Sequence, residues 1–156
     1  MASGVSKEAG VIVQMAERFK QDVERSQALF GDKTATISSL NELACECAEA
    51  DWDGYGAQGM DPAAVTVAER LIRALPMDIP MPECAPEPDG SISLDWWESR
   101  YRIVSVSVSP SARLAFAWLD GTDRGHAVAR FDGSAVPERL LQEIRRIMPN
   151  ASLRAA

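Results

Sequence analysis

"RIVSVSVSP", Arg102 to Pro110, alternates cleanly, with Val104, Val106 and Val108 set against Ser105, Ser107 and Ser109. A period of two sends successive side chains to opposite faces, so this is a strand with one apolar and one polar side. The same period continues in both directions. "SISLDWW" sets Ile92, Leu94 and Trp96 against Ser91, Ser93 and Asp95, and "RLAFAWLDG" sets Leu114, Phe116 and Trp118 against small residues. "GHAVARFDG" reads as a fourth strand, and "ECAPEPDG" offers a fifth at an edge. The links "PSA" and "DGTDRG" are of hairpin length and carry turn residues. Residues 82–132 are therefore expected to form an antiparallel meander of four or five strands.

Upstream the period changes to that of a helix. Ile12, Met15, Ala16, Phe19, Val23 and Phe30 recur at spacings of three and four, with charged residues between them. One long helix is expected up to residue 31, with Ser6 or Ser3 as N-cap and Gly31 as its stop. A second helix, from about Ser38 to Ala50, places Ile37, Leu40, Ala44 and Cys47 on one side. A third begins at "DPAA", where Asp61 caps and Pro62 fills the first position, which needs no N–H, and it stops at Pro76. Five prolines in "PMDIPMPECAPEPDG" make an extended connector. A last helix within 134–149 turns Leu140, Leu141, Ile144 and Ile147 inward and Arg139, Arg145 and Arg146 outward. The expectation is an α+β fold in one domain: three N-terminal helices, the meander and one C-terminal helix, with helices covering one face of the sheet.

Charge is uneven along the 156 residues. The net charge is −7, yet no Lys or Arg lies between Lys33 and Arg70, where Glu42, Glu46, Glu49, Asp51, Asp53, Asp61 and Glu69 fall. Such acidity argues against direct binding to nucleic acid or an anionic membrane, which needs clustered cations. No apolar run reaches the roughly 20 residues of a membrane helix, and "MASGVSKEAG" lacks the pattern of a secretory signal, so the cytoplasm is expected. Glu42, Glu46 and Glu49 share a helix side at i, i+4 and i+7. A row of this kind is ordinarily a solvated face; the sharper alternative is a contact surface for a basic partner.

Templates for chemistry fit poorly. "ADWDGYGAQGMDP", residues 50–62, gathers three Asp and three Gly. A calcium loop needs an oxygen ligand at position 5 and Glu at position 12, where Tyr55 and Pro62 stand. "GYGAQG" lacks the Lys-Ser/Thr of a phosphate loop. The structural reading is a clasp: glycines turn the chain, Asp61 starts a helix, and Trp52 and Tyr55 tuck under the sheet as a plug. Cys45, Cys47 and Cys84 with the single His126 make neither a disulfide framework nor a zinc set. His126, Asp95 and Glu98 are the acid–base candidates, and no nucleophile motif accompanies them. No catalytic residue, cofactor or metal is expected. Trp96 and Trp97 must point to opposite faces, one into the core. The other, with Tyr101 and the neighbouring arginines, has the composition of an interface hot spot.

Together "WDGYGA" (Trp52–Ala57), "PEPDGSISLDW" (Pro86–Trp96) and "SPSARLAFAWLDG" (Ser109–Gly121) resemble a widespread group of small uncharacterised bacterial proteins. That group carries W-D-G-x-G-A, a helix ending in L-P, P-D-G-x-I-x-L-x-W and a Gly-bearing hairpin. The likeness spans roughly residues 50–131 and departs at the hairpin, where Ala112 stands in place of Gly. Its members are similar to proteins of plasmids, prophages and other mobile elements, often beside defence or toxin genes. The group itself supplies no activity; a small acidic protein of this mobile-element likeness is expected to be a non-catalytic inhibitor of a host defence complex, anti-CRISPR-like, that masks a basic nucleic-acid-binding surface, with an antitoxin or immunity-type protein as the alternative. The expected contact residues are Glu42, Glu46, Glu49, Asp51, Asp53, Trp97 and Tyr101. An enzymatic or small-molecule-binding domain using His126 and Asp95 is the reading from another class. The long N-terminal helix, outside the shared region, could pair with a second copy.

Overall fold

The computed structural model describes residues 7–149. Its elements run α1 (Lys7–Glu46), α2 (Pro62–Ala74), β1 (Glu83–Pro86), β2 (Ile92–Ser99), β3 (Arg102–Val108), β4 (Arg113–Asp120), β5 (Asp123–Arg130) and α3 (Glu138–Ile147). The five strands form one antiparallel meander in the order β1-β2-β3-β4-β5, so the α+β class and the optional edge strand are both present. The chain divides into two compact units, Met1–Asp32 and Lys33–Ala156.

Register follows from the alternation. Val104 pairs across to Trp96 and Trp118, Val106 to Leu94 and Phe116, and Val108 to Ile92 and Leu114. These rows form one continuous apolar face, and Leu94, Val104, Val106 and Leu114 are wholly buried. Against it pack Leu71 and Ile72 of α2, Leu140, Ile144 and Ile147 of α3, Ile37 and Leu40 of α1, and Cys47 just past the end of α1. The whole core lies in the second unit. Trp96 is the inward tryptophan, 1% exposed, and its Nε1 donates to the carbonyl of Pro80 at 2.8 Å. That bond satisfies the one polar atom that burial of the indole would otherwise strand.

Two boundaries differ from the expectation. The helix expected to reach Ala50 ends at Glu46, so Glu49 lies in the loop beyond it and does not share a helical side with Glu42 and Glu46. The chain does not leave the helix at Gly31; helical conformation continues to Glu46. The extension has a local cause within the second unit. Lys33 Nζ donates to the carbonyls of Arg73 and Leu75, at 2.8 and 2.6 Å, closing the C-terminal end of α2, while Ile37 and Leu40 bury beside it. Tertiary anchoring of this kind outweighs the ~1 kcal/mol that a helical glycine costs. Ser6 and Ser3, the expected N-caps, lie outside the described residues. At α2 the expectation holds: Asp61 Oδ1 accepts from the Ala63 N–H, with Pro62 at the first position.

Ala112 sits in the β3–β4 hairpin at φ +61, the left-handed region that favours glycine. The strained conformation is locked, because its N–H bonds the Ser109 carbonyl and its carbonyl receives the Phe131 N–H. Replacing Ala112 by Gly is expected to stabilise the second unit by roughly 1 kcal/mol, a rise of about 2–4 °C in Tm measured by calorimetry.

Candidate functional site

The C-terminal end of α1 and the loop that follows form the most acidic part of the structure. Glu42, Glu46 and Glu49 are all exposed. Glu42 and Glu46 are a like-charged i, i+4 pair, and the last turn of the helix holds no basic residue. The C-terminal end of a helix carries a partial negative charge and favours cations, so this is an unfavourable place for carboxylates.

Beyond Glu49 the chain closes on itself through its own side chains. Asp51 adopts φ +66. Its N–H bonds the Ala57 carbonyl at 2.7 Å, and its Oδ1 accepts from the Gly56 N–H at 2.7 Å. Asp53 Oδ1 accepts from the N–H groups of Tyr55 and Ala57, at 2.8 and 3.1 Å. Those backbone bonds hold the Asp53 carboxyl below the usual carboxylate range. Trp52, partly buried against the core, donates through Nε1 to the Gln58 carbonyl at 2.9 Å. Both aspartates thus spend an oxygen on the loop itself, which gives them a structural role within the acidic stretch.

The loop is fastened on two sides. The Met60 N–H bonds the Cys47 carbonyl at the end of α1. The N–H groups of Gln58 and Asp61 bond the carbonyls of Pro88 and Gly90 in the turn between β1 and β2. The residues that directly follow "WDGYGA" are therefore bonded to the turn that opens "PDGSISLDW", a link that neither motif announces by itself. Gly59 makes the closest approach: a Cβ there would lie 2.2 Å from the Ala48 carbonyl oxygen. Gly90, at φ +86, faces the Gly59 carbonyl, which a Cβ would meet at 3.0 Å.

Tyr55 departs from the expected plug. It is 94% exposed at the tip of the loop, while Trp52 alone packs inward. The reason is the bonding of Asp53: by taking the N–H groups of Tyr55 and Ala57 it folds the backbone tightly and leaves the ring of Tyr55 on the outside. A solvent-facing tyrosine on a hydrogen-bonded backbone beside carboxylates is the residue that sequence reasoning misplaces. The Asp-x-Tyr spacing is the signal that finds it, since an Asp side chain commonly bonds the backbone two residues on.

Trp97 and Tyr101 lie elsewhere. Trp97 is 52% exposed on the polar face of the sheet, and Tyr101 is exposed in the β2–β3 turn with the Arg100 guanidinium 4.5 Å from its ring. The clasp binds the turn before β2, and Trp97 comes seven residues after Gly90. Extended chain covers roughly 3.3 Å per residue, which separates the aromatic pair from the clasp by about 20 Å. The expected contact residues thus form two groups, one of Glu42, Glu46, Glu49, Asp51 and Asp53 and one of Trp97 and Tyr101.

Asp95 and His126 share a cross-strand row on the polar face, running Asp95, Ser105, Ala117, His126. Three strand spacings of about 4.8 Å hold them roughly 14 Å apart, far beyond hydrogen-bond reach. Asp95 Oδ1 instead accepts from the hydroxyls of Ser93 and Ser105, at 2.8 and 2.5 Å. The pKa of the Cys84 thiol is pushed up to about 11, chiefly by burial and then by the nearby Asp95, which leaves it protonated and unreactive.

Four arginines lie on or beside α3. Arg146 pairs with Asp123 at 3.0 Å, and Arg145 with Asp78 at 2.6 Å. Arg102 pairs with Asp120 at 2.9 Å and also donates to the Arg146 carbonyl. Buried Glu143 lies 2.8 Å from Arg139, and its Oε2 lies 2.9 Å from Arg146, close in charge though poorly aligned for a hydrogen bond. These arginines are largely neutralised within the chain, whereas no such pairing serves Glu42, Glu46 and Glu49 among the described ion pairs.

Compared with protein-family models, with curated proteins and with solved structures, the chain finds no match. Among the described residues no helix is long and apolar enough to cross a membrane.

Proposed function

We propose that the protein is a non-catalytic binding module that docks a basic protein surface on the acidic end of α1 and the adjoining loop. The observation that carries this reading is the placement of Glu42, Glu46 and Glu49. Glu42 and Glu46 are exposed on a helix end where carboxylates are electrostatically disfavoured, and Glu49 is exposed in the loop just beyond, which also holds Tyr55 outward. Charges kept where they do not help the fold are accounted for by what they meet. Tyr55 supplies what a charged patch lacks, an aromatic anchor on a preorganised backbone. With its likeness to mobile-element proteins, the acidic surface suits a nucleic-acid-binding protein of host defence, which it would mask in the manner of an anti-CRISPR protein. A toxin neutralised by an antitoxin or immunity-type protein offers the same basic surface.

The test is capture from a bacterial lysate containing defence complexes, with the wild-type protein and the Glu42→Lys/Glu46→Lys/Glu49→Lys variant immobilised side by side. A band retained by the wild type and lost from the variant supports the reading. Identical retention by both overturns it.

A further inference from the structure

Residues 7–32 of the first unit are helical, and several of their large apolar side chains face water. Ile12, Met15 and Phe19 are 67, 65 and 72% exposed, and Val11 and Val13 are more than half exposed. Isolated surface hydrophobics need no explanation, but a contiguous row on one helix marks an interaction surface.

The spacing specifies the kind of surface. Ile12, Ala16, Phe19 and Val23 step by four, three and four residues, and Phe30 follows seven after Val23, as in the seam of a coiled coil. The same count continues through Ile37, Leu40, Ala44 and Cys47. In the second unit Ile37, Leu40 and Cys47 are buried by the chain's own core, whereas the first-unit positions Ile12, Ala16 and Phe19 stay exposed. Phe19, Asp22, Val23, Gln27 and Phe30 line a groove of about 650 Å³. Residues at such spacings compose the hole that receives one side chain of a facing helix. The helix carries both the holes and the phenylalanine knobs that would fill them.

We infer that the first unit associates with the first unit of a second copy of this chain. Charge favours that occupant. Residues 1–32 hold four basic and five acidic side chains, net −1, leaving −6 of the −7 to the rest of the chain. Two copies of a nearly neutral, mixed surface do not repel, and the strongly acidic region is not involved. The same balance disfavours an anionic lipid surface, which selects helices with a basic polar face. The open apolar side chains present on the order of 700 Å² per chain. A pair would then bury roughly 1,400 Å², within the range of stable interfaces.

The experiment is sedimentation equilibrium of the full chain from 1 to 100 μM, with circular dichroism at 222 nm over the same range. The wild type is expected to reach twice 17.0 kDa, with helicity rising as it associates. Phe19→Glu is expected to remain a monomer and to lose the concentration dependence. Its second unit should melt as in the wild type, because Phe19 is not part of the core. A wild type that stays monomeric at 100 μM, or a Phe19→Glu variant that still pairs, overturns the inference. Neither outcome bears on the acidic surface, whose test is the separate capture experiment.

Discussion

Gly59→Ala is expected to lower the stability of the second unit by about 3 kcal/mol, a fall of roughly 6–12 °C in Tm. The added methyl would stand 2.2 Å from the Ala48 carbonyl oxygen and 3.0 Å from the carbonyl carbon. Both are backbone atoms, so no rotamer change can relieve the clash. Either the end of α1 or the loop must move. Movement of the loop breaks the bonds from Met60 to Cys47, from Gln58 to Pro88 and from Asp61 to Gly90 together, since all three flank the same residue. Calorimetry measures the loss directly. A variant that melts with the wild type would show that the close approach at Gly59 does not hold the clasp.

Reversing Glu42, Glu46 and Glu49 to Lys is expected to act in opposite directions on fold and binding. For the fold, the change removes an i, i+4 repulsion and places cations near the C-terminal carbonyls of α1. Each such interaction is worth about 0.3–1 kcal/mol at low salt, so Tm should hold or rise by a few degrees. For binding, three attractive contacts become three repulsive ones, and like-charge juxtaposition across an interface costs several kcal/mol. A loss of at least roughly 100-fold in affinity is expected. Because the variant is no less stable, the loss cannot be assigned to misfolding. Tyr55→Ala should weaken binding as well without touching the charge.

Much of this architecture is legible in the amino-acid sequence. The serine–valine alternation of β3 fixes its faces, and those faces set the register of β2 and β4 through their own inward residues. Asp61-Pro62 names the start of α2 with a mechanism. Gly31 misleads because its penalty is local and small, while the bonds of Lys33 to α2 come from 40 and 42 residues away. Tyr55 misleads for a related reason. Its aromatic ring suggests burial, yet the hydrogen bonds of Asp53 decide where it points. The union of the clasp with the β1–β2 turn is a matter of backbone carbonyls and glycines, which carry no periodic signal. Of the candidate site, the Glu42–Glu46 pair is readable from charge spacing, whereas the place of Glu49 is not, because the helix stops before it. The separation of the acidic group from Trp97 and Tyr101 is not readable either, because that distance depends on which end of β2 the clasp grips.

The most direct measurement of the proposed function is the dissociation constant of the captured partner as a function of sodium chloride, from 50 to 500 mM. Over that range the screening length between exposed charges falls from about 14 Å to about 4 Å. The wild type is expected to lose affinity steeply as salt rises, and the triple-lysine variant to bind weakly with a flat or inverted salt dependence. A wild-type affinity that is indifferent to salt, and equal to that of the variant, would contradict an acidic docking surface.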